Sequence, residues 1–132
     1  MFTEQQLKAA HSKVKTGADF PAYINEIKGL GLLRYEFWVD NGRTIYYGGN
    51  SHVIATESKY PEQGISTGSS ADELRHIITI HQQGQTDFNT FCKQVAHAGV
   101  EKWVIDTSLM TCTYCNLKGQ VMVSEPIPEI KY

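Results

Sequence analysis

The sequence has no run of apolar residues that approaches the roughly 18 needed to cross a bilayer. Its first residues, Met1 to Gln5, lack the basic segment and the apolar segment of a secretory leader. It has no cluster of basic residues, and its net charge of −2 provides no general attraction for polyanions. We therefore expect a cytoplasmic protein whose partners include neither a membrane nor a nucleic acid.

The sequence has few cysteines, and its cysteines and histidines do not form a pattern that predicts a metal site. Three cysteines, an odd number, predict no disulfide framework. Cys112 and Cys115 have the C-x-x-C spacing of metal and redox sites, but residues three apart on a strand point to opposite faces. The five histidines lack the spacing of a ligand set, and His11 and His81 lie on apolar faces of predicted helices. Neither a metal site nor a cofactor is predicted.

What the sequence does contain is a pattern that occurs twice. Residues 1–57 and residues 70–125 each show the signals of two helices followed by three strands, with a linker at 58–69 and a tail at 126–132. An offset of 68 residues aligns the copies without a gap from the second helix to the third strand, with six identities. Unrelated segments would share about two or three residues.

The expected fold is therefore a single α+β domain of 132 residues, formed by internal duplication of a helix-helix-strand-strand-strand unit. Antiparallel meander sheets would pack against the helices about a pseudo-twofold axis. Matched capping boxes, Thr3 with Gln6 and Ser70 with Glu73, start the first helix of each copy. Glycines at equivalent positions predict the left-handed end of each second helix.

The hairpin signal Asn41-Gly42 sets the expected register of the strands. Phe37, Tyr46 and Ala55 are predicted to lie side by side on the core face. The same register predicts a second group of core residues in the other copy, namely Trp103, Ile105, Cys112, Tyr114, Val121 and Val123.

The opposite face of the sheet is the first candidate site. It would carry apolar side chains such as Ile45, Ile54, Val104 and Met122 beside basic ones, which is too apolar for free exposure. Helices could cover it, or it could be a homodimer surface or a ligand groove. Its candidate residues for binding a ligand or partner are Arg34, Trp38, Arg43, Tyr47, Lys102 and Asp106.

The second candidate site is a pair of carboxylates at the seam between the copies. Glu57 and Glu125 end equivalent strands, and two carboxylates that meet across a pseudo-twofold axis would share a proton and act as an acid/base pair. His52 follows a predicted turn and would assist a carboxylate from elsewhere in the chain.

Residues from His81 to Pro128 resemble a known family, the YdfO-like proteins (domain of unknown function 1398), often labelled phage envelope proteins and carried in prophages. The resemblance rests on segments such as Thr86-Asp87-Phe88, Ala98-Gly99-Val100, Met110 to Tyr114 and Glu125-Pro126-Ile127-Pro128. It implies a small, prophage-associated bacterial α+β protein and supplies no catalytic residues.

The first function expected from these observations is a non-enzymatic binding or interaction domain, because no catalytic constellation is present. Its partner would be an unknown protein or small ligand, and a homodimer is possible. The alternative is a small-molecule-binding protein or enzyme that uses Glu57, Glu125 or His52 at the seam.

Overall fold

The protein is described by a computed structural model that covers residues 2–15 and 19–127. The predicted order of two helices followed by three strands occurs twice along the chain. The elements are α1 (Glu4–His11), α2 (Phe20–Gly29), β1 (Leu32–Trp38), β2 (Arg43–Gly48), β3 (Val53–Ala55), α3 (Ala71–Gln82), α4 (Phe88–His97), β4 (Val100–Asp106), β5 (Thr111–Asn116) and β6 (Val121–Pro126). Beyond Ile127, the predicted tail lies outside the described residues.

All six strands join one antiparallel sheet in the order β3-β2-β1-β4-β5-β6. The antiparallel meanders expected for the two halves form one continuous sheet, because the first strand of each half pairs with the other at the centre. That pairing is antiparallel, with Glu36 opposite Val104, Arg34 opposite Asp106 and Trp38 opposite Lys102. One sheet therefore crosses the boundary between the halves and leaves β3 and β6 as its edges.

Contacts along the central strands repeat at the offset of 68 residues. The amide of Val39 donates to the Glu101 carbonyl at 2.9 Å, and the amide of Thr107 donates to the Leu33 carbonyl at 3.0 Å. The hairpins match as well: β1 pairs with β2 in the same register in which β4 pairs with β5. Residues at equivalent positions thus make equivalent backbone contacts.

The predicted helix boundaries are confirmed by their caps. Thr3 forms a complete capping box with Gln6, whereas the Ser70 side chain caps helix α3 by accepting from the Glu73 amide. The glycines that follow α2 and α4, Gly31 and Gly99, have φ of +99° and +100°. Glycine tolerates this left-handed conformation because it has no Cβ.

The hydrophobic core lies between the helices and one face of the sheet, which we call the core face. The side chains of Tyr35, Phe37, Trp103 and Ile105 point to it and are at most 5% exposed. Helices α2, α3 and α4 contact strands β1, β6 and β4 respectively. The molecule therefore has two layers, with helices on the core face.

The predicted row of Phe37, Tyr46 and Ala55 was wrong, because Phe37 lies opposite Thr44 and Tyr46 lies opposite Tyr35. Edge strand β3 is also shifted by one residue from its predicted position. Tyr46 lies opposite Ile54 and not Ala55, because the Gly48 amide donates to the His52 carbonyl at 2.7 Å and the turn between them spans residues 49–51 instead of 50–51. Ile54 consequently packs against the core, and Ala55 is exposed. A shift of one residue reverses the face of every side chain in a strand.

A bulge in β6 has the same effect at the other edge. Val123 lies opposite Tyr114, but Val121 lies opposite Cys115, so the ladder shifts between these pairs. Val121 is 62% exposed although it was predicted to be buried, and Met122 packs against the core instead.

Candidate functional site

A cavity of about 600 Å³ lies between the helices and the core face. Its floor consists of two rows of side chains that run across neighbouring strands. The first row contains Thr44, Phe37, Trp103 and Tyr114, and the second row contains Tyr46, Tyr35, Cys112 and Glu125. Each helix adds side chains to the walls, including His11, Phe20, Tyr23, Ile78, His81, Gln82, Phe88 and Phe91.

Aromatic rings give the cavity its shape. Phe37 stacks on Trp103 with ring centroids 4.3 Å apart, and the edge of Phe88 packs against both rings at 5.4 and 6.2 Å. Tyr35 and Tyr46 pack with their centroids 5.4 Å apart. Rings that hold one another in place form a preformed pocket that loses little entropy when a ligand binds.

Several hydroxyl groups also line this largely apolar cavity. The Tyr46 hydroxyl lies near the side chains of Tyr23 and Thr44, and the Tyr114 hydroxyl lies near the Cys112 thiol. Burial raises the pKa of Tyr23, Tyr46 and Tyr114, and it raises the pKa of Cys112 to about 12. These groups are therefore neutral at physiological pH and serve as hydrogen-bonding groups.

One corner of the cavity is basic. Lys59, from the linker, places its Nζ 5.7 Å from the centre of the Phe37 ring and 5.8 Å from that of Phe88. The His11 ring packs edge-on against Tyr23 at 5.4 Å and against Phe88 at 6.2 Å. Burial lowers the pKa of His11, and the neighbouring Lys59 charge lowers it further. Burial also lowers the pKa of Lys59.

Polar groups from α3 and β6 form a second corner. The His81 ring stacks on Phe91 with centroids 4.2 Å apart, and its Nδ1 lies 3.1 Å from the Thr86 carbonyl. The same nitrogen lies 3.0 Å from the Thr86 hydroxyl, which can donate or accept a hydrogen bond, so Thr86 fixes the orientation of the ring. Burial lowers the pKa of His81, so the neutral form is favoured. Nearby, Gln82 donates to a Glu125 carboxylate oxygen at 3.3 Å.

The carboxylate pair predicted at the seam does not form. Glu57 follows edge strand β3, and Glu125 lies on the opposite edge strand, β6. Five strand spacings separate these edges, which amounts to roughly 24 Å. The two cannot share a proton, because the halves meet through β1 and β4 and not through their third strands. Glu125 lines the cavity, whereas Glu57 is exposed to solvent.

His52 lies away from this cavity and has a structural contact. Its Nε2 is 2.9 Å from the Phe2 carbonyl, and its ring packs edge-on against the Phe2 ring at 4.7 Å. It thereby holds the N-terminal segment against the β2–β3 loop, at a distance from both glutamates. His52 precedes edge strand β3, whereas Glu125 lies on the opposite edge strand β6, so these two residues do not form one site at the seam.

Within residues 2–15 and 19–127, the helices pack on the core face, so the expected second core layer of helices on the opposite face was wrong. The charges of that opposite face are satisfied within the sheet: Lys102 Nζ lies 3.5 Å from a Glu36 oxygen, and the Tyr47 hydroxyl donates to Glu36 at 3.0 Å. Arg34 lies over the Tyr47 ring at 4.1 Å, and Lys102 lies over the Trp38 ring at 4.9 Å. This outer face is therefore a connected layer of polar and aromatic side chains.

The remaining residues predicted for the outer face have local roles. Asp106 accepts hydrogen bonds from the amides of Ser108 and Leu109, both at 2.9 Å, and so shapes the β4–β5 turn. Arg43 is exposed beside the first hairpin. A partner that binds this face stays a prediction.

The sequence did not predict that Lys59 borders a cavity, or that His11 and His81 line it. The two histidines occupy the apolar helix faces expected for them, but those faces line a cavity and not a filled core. No local signal distinguishes the two cases. Lys59 lies in a linker, where only the path of the folded chain decides what it approaches.

Membrane-spanning helices and clusters of metal ligands are both absent from the part of the chain that the structure describes. No helix within residues 2–15 and 19–127 is long and apolar enough to cross a membrane. The same part of the chain contains no group of three His, Cys, Asp or Glu side chains placed to hold a metal ion.

The chain matches a known protein family over most of its length. A family model described as "Protein of unknown function (DUF1398)" matches residues 8–126. The uncharacterized protein YcgX of Escherichia coli (strain K12) is 22% identical over 121 residues, which cover 90% of this chain and 89% of that protein. Neither description mentions a phage envelope or a prophage, so that implication of the resemblance stays a prediction.

Proposed function

We propose that this chain, which belongs to the DUF1398 family of proteins of unknown function, is a binding protein for small organic molecules. The observation that carries the proposal is the preformed cavity of about 600 Å³, lined by aromatic rings and a few polar groups. Ligand pockets of known proteins have volumes of roughly 300 to 1,000 Å³ and this kind of lining. The ligand would be compact and largely apolar, with a planar part that packs among the rings.

Binding without catalysis is favoured by the state of the reactive groups. Burial raises the pKa of Cys112 to about 12, so its thiol stays protonated and is a poor nucleophile. The cavity contains the Glu125 carboxylate, but Glu57 lies on the far edge of the sheet and cannot complete an acid/base pair. The His81 ring is held by one loop residue, since its Nδ1 lies 3.1 Å from the Thr86 carbonyl and 3.0 Å from the Thr86 hydroxyl.

We also infer that the cavity is shared by two copies of a duplicated unit. Residues 68 apart line it as matched pairs, which are Phe20 and Phe88, Tyr23 and Phe91, Tyr35 and Trp103, Thr44 and Cys112, and Tyr46 and Tyr114. The shared backbone register supports the same relation. In this interpretation the cavity arose where the two units meet, and differences within each pair adapted it to one ligand.

The proposal is tested by filling the cavity from its floor. Cys112 points into the cavity, and its neighbour Thr113 points to the outer face of the same strand. We expect Cys112→Trp to weaken binding of the neutral dye N-phenyl-1-naphthylamine at least tenfold, because the new ring occupies ligand space. Thr113→Trp is the matched control and should leave the dye affinity unchanged. Fluorescence titration measures both.

Thermal unfolding followed by near-ultraviolet circular dichroism establishes that each variant is folded. Filling an empty cavity removes few native contacts, so we expect Cys112→Trp to retain its midpoint within a few degrees. Absence of dye binding to the wild-type protein, or equal affinity in the wild type and a folded Cys112→Trp variant, would refute the proposed function.

A further inference from the structure

We propose that the ligand of this cavity is an organic anion, with an aromatic body among the rings and one oxyanion group, such as a carboxylate or sulfonate, at Lys59 and His11. This inference rests on the proposed function and specifies its ligand. Four observations lead to it.

The first observation is the position of the Lys59 ammonium. Its Nζ lies between the rings of Phe37 and Phe88, at 5.7 and 5.8 Å from their centres, on the border of the cavity. Within residues 2–15 and 19–127, ion pairs join four other pairs of side chains, and Lys59 has no carboxylate within ion-pair distance. A cation that is partly removed from water without a counterion is a ready site for an anion.

The second observation is that His11 shares this corner. Its ring packs against the same Phe88 ring, at 6.2 Å. The Lys59 charge lowers the pKa of His11, which places the two groups near enough to repel when both are charged. An oxyanion between them would relieve this repulsion and accept hydrogen bonds from both side chains.

The third observation excludes the opposite charge at this corner. An aromatic pocket also suits a cationic ligand, which would lie over the ring faces. The Lys59 ammonium already lies over the Phe37 and Phe88 rings, so a ligand cation there would meet a like charge. The basic corner therefore selects an anion.

The fourth observation is the position of the acidic group. Glu125 lies on β6, three strands away from Phe37 on β1, which corresponds to roughly 14 Å. Its carboxylate is held by Gln82 and leaves the basic corner without a protein counterion. The positive charge of Lys59 and the negative charge of Glu125 therefore lie apart in the cavity.

The test compares two dyes with the same ring system. N-phenyl-1-naphthylamine is neutral, and 1-anilinonaphthalene-8-sulfonate adds one sulfonate. At pH 7 we expect the wild-type protein to bind the sulfonate dye about tenfold more tightly, which corresponds to one charge-assisted contact near solvent. Lys59→Gln should remove this preference, so that the ratio of the two dye affinities falls from about ten to about one.

Two further variants make the result specific. Lys59→Arg keeps the positive charge and should keep the preference for the sulfonate dye. Lys118→Gln removes an exposed lysine from the β5–β6 turn, outside the cavity, and should change neither affinity. Thermal unfolding of each variant establishes that it is folded.

The outcomes separate this inference from the proposed function. If the neutral dye binds but Lys59→Gln leaves the affinity for the sulfonate dye unchanged, the anion site is wrong and the binding function stands. If Lys59→Gln weakens both dyes equally, Lys59 supports the fold and the anion site is again wrong. If neither dye binds to the wild-type protein, both proposals fail.

Discussion

Gly31 and Gly99 offer a matched comparison of backbone strain and steric contact. Both follow a helix at equivalent positions, and their φ angles are +99° and +100°. A Cβ at position 31 would meet nothing within 4 Å. A Cβ at position 99 would lie 2.6 Å from the Gly68 carbonyl oxygen and 2.9 Å from the Ser69 Cα. These neighbours are backbone atoms and cannot turn aside as a flexible side chain would.

The contacts of the linker determine how strongly an alanine at position 99 destabilises the protein. The amides of Ser66 and Ser70 donate to the carbonyls of Ala96 and Ala98 at 3.0 and 3.1 Å, which binds this segment to the end of α4. Gly31→Ala should lower the free energy of unfolding by about 1 to 2 kcal/mol, the cost of a left-handed alanine. Gly99→Ala adds an overpacking cost of about 1 to 3 kcal/mol.

Urea unfolding followed by tryptophan fluorescence measures both variants. We expect a total loss of about 2 to 5 kcal/mol for Gly99→Ala, with an unchanged dependence on urea concentration. Equal losses at the two positions, within about 0.5 kcal/mol, would refute the claim that the linker is packed tightly against α4.

Four further experiments test individual side chains of the structure. Because the folded state lowers the pKa of His11, the unfolded state binds more protons below pH 6.5, so the free energy of unfolding should fall as the solution is acidified. His11→Gln should flatten this pH dependence in urea titrations; an unchanged slope contradicts the assignment. Thr107→Val should cost about 1 to 3 kcal/mol in the same assay, because the hydroxyl donates to the Leu32 carbonyl at 2.6 Å; Thr113→Val should cost less, because Thr113 is only half-buried. Cys112 should resist iodoacetamide at pH 8 until the protein unfolds, as mass spectrometry would show, because its pKa is raised to about 12; rapid labelling of the folded protein would argue against burial. Trp38→Ala should leave dye affinity unchanged, since Trp38 lies outside the cavity; weaker self-association in sedimentation would instead support a dimer surface.

Part of the candidate site could be predicted from the sequence. Tyr46, Trp103, Cys112 and Tyr114 were expected on the core face, and they form the floor of the cavity. Their alternation with polar neighbours is enough to choose a face, because successive side chains in a strand point in opposite directions. Alternation does not show whether the space above that face is filled.

The carboxylates considered for the alternative, enzymatic function show what a local pattern does not determine. Glu57 and Glu125 were paired because they occupy equivalent positions, but equivalence does not determine which strands meet at the boundary. Two units that join through their first strands place their third strands as far apart as the sheet allows. The same local pattern would have fitted either arrangement.

By itself, the sequence determined the order of helices and strands, the caps at Thr3 and Ser70, and the left-handed glycines at positions 31 and 99. These features depend on contacts within a few residues, so short segments are enough to specify them. Only the tertiary structure decided that β1 pairs with β4, which face the helices cover, and that Lys59 reaches a cavity. Those outcomes depend on burial and on strand pairing between segments that are distant in the sequence. A local sequence pattern does not determine the free energies of such contacts.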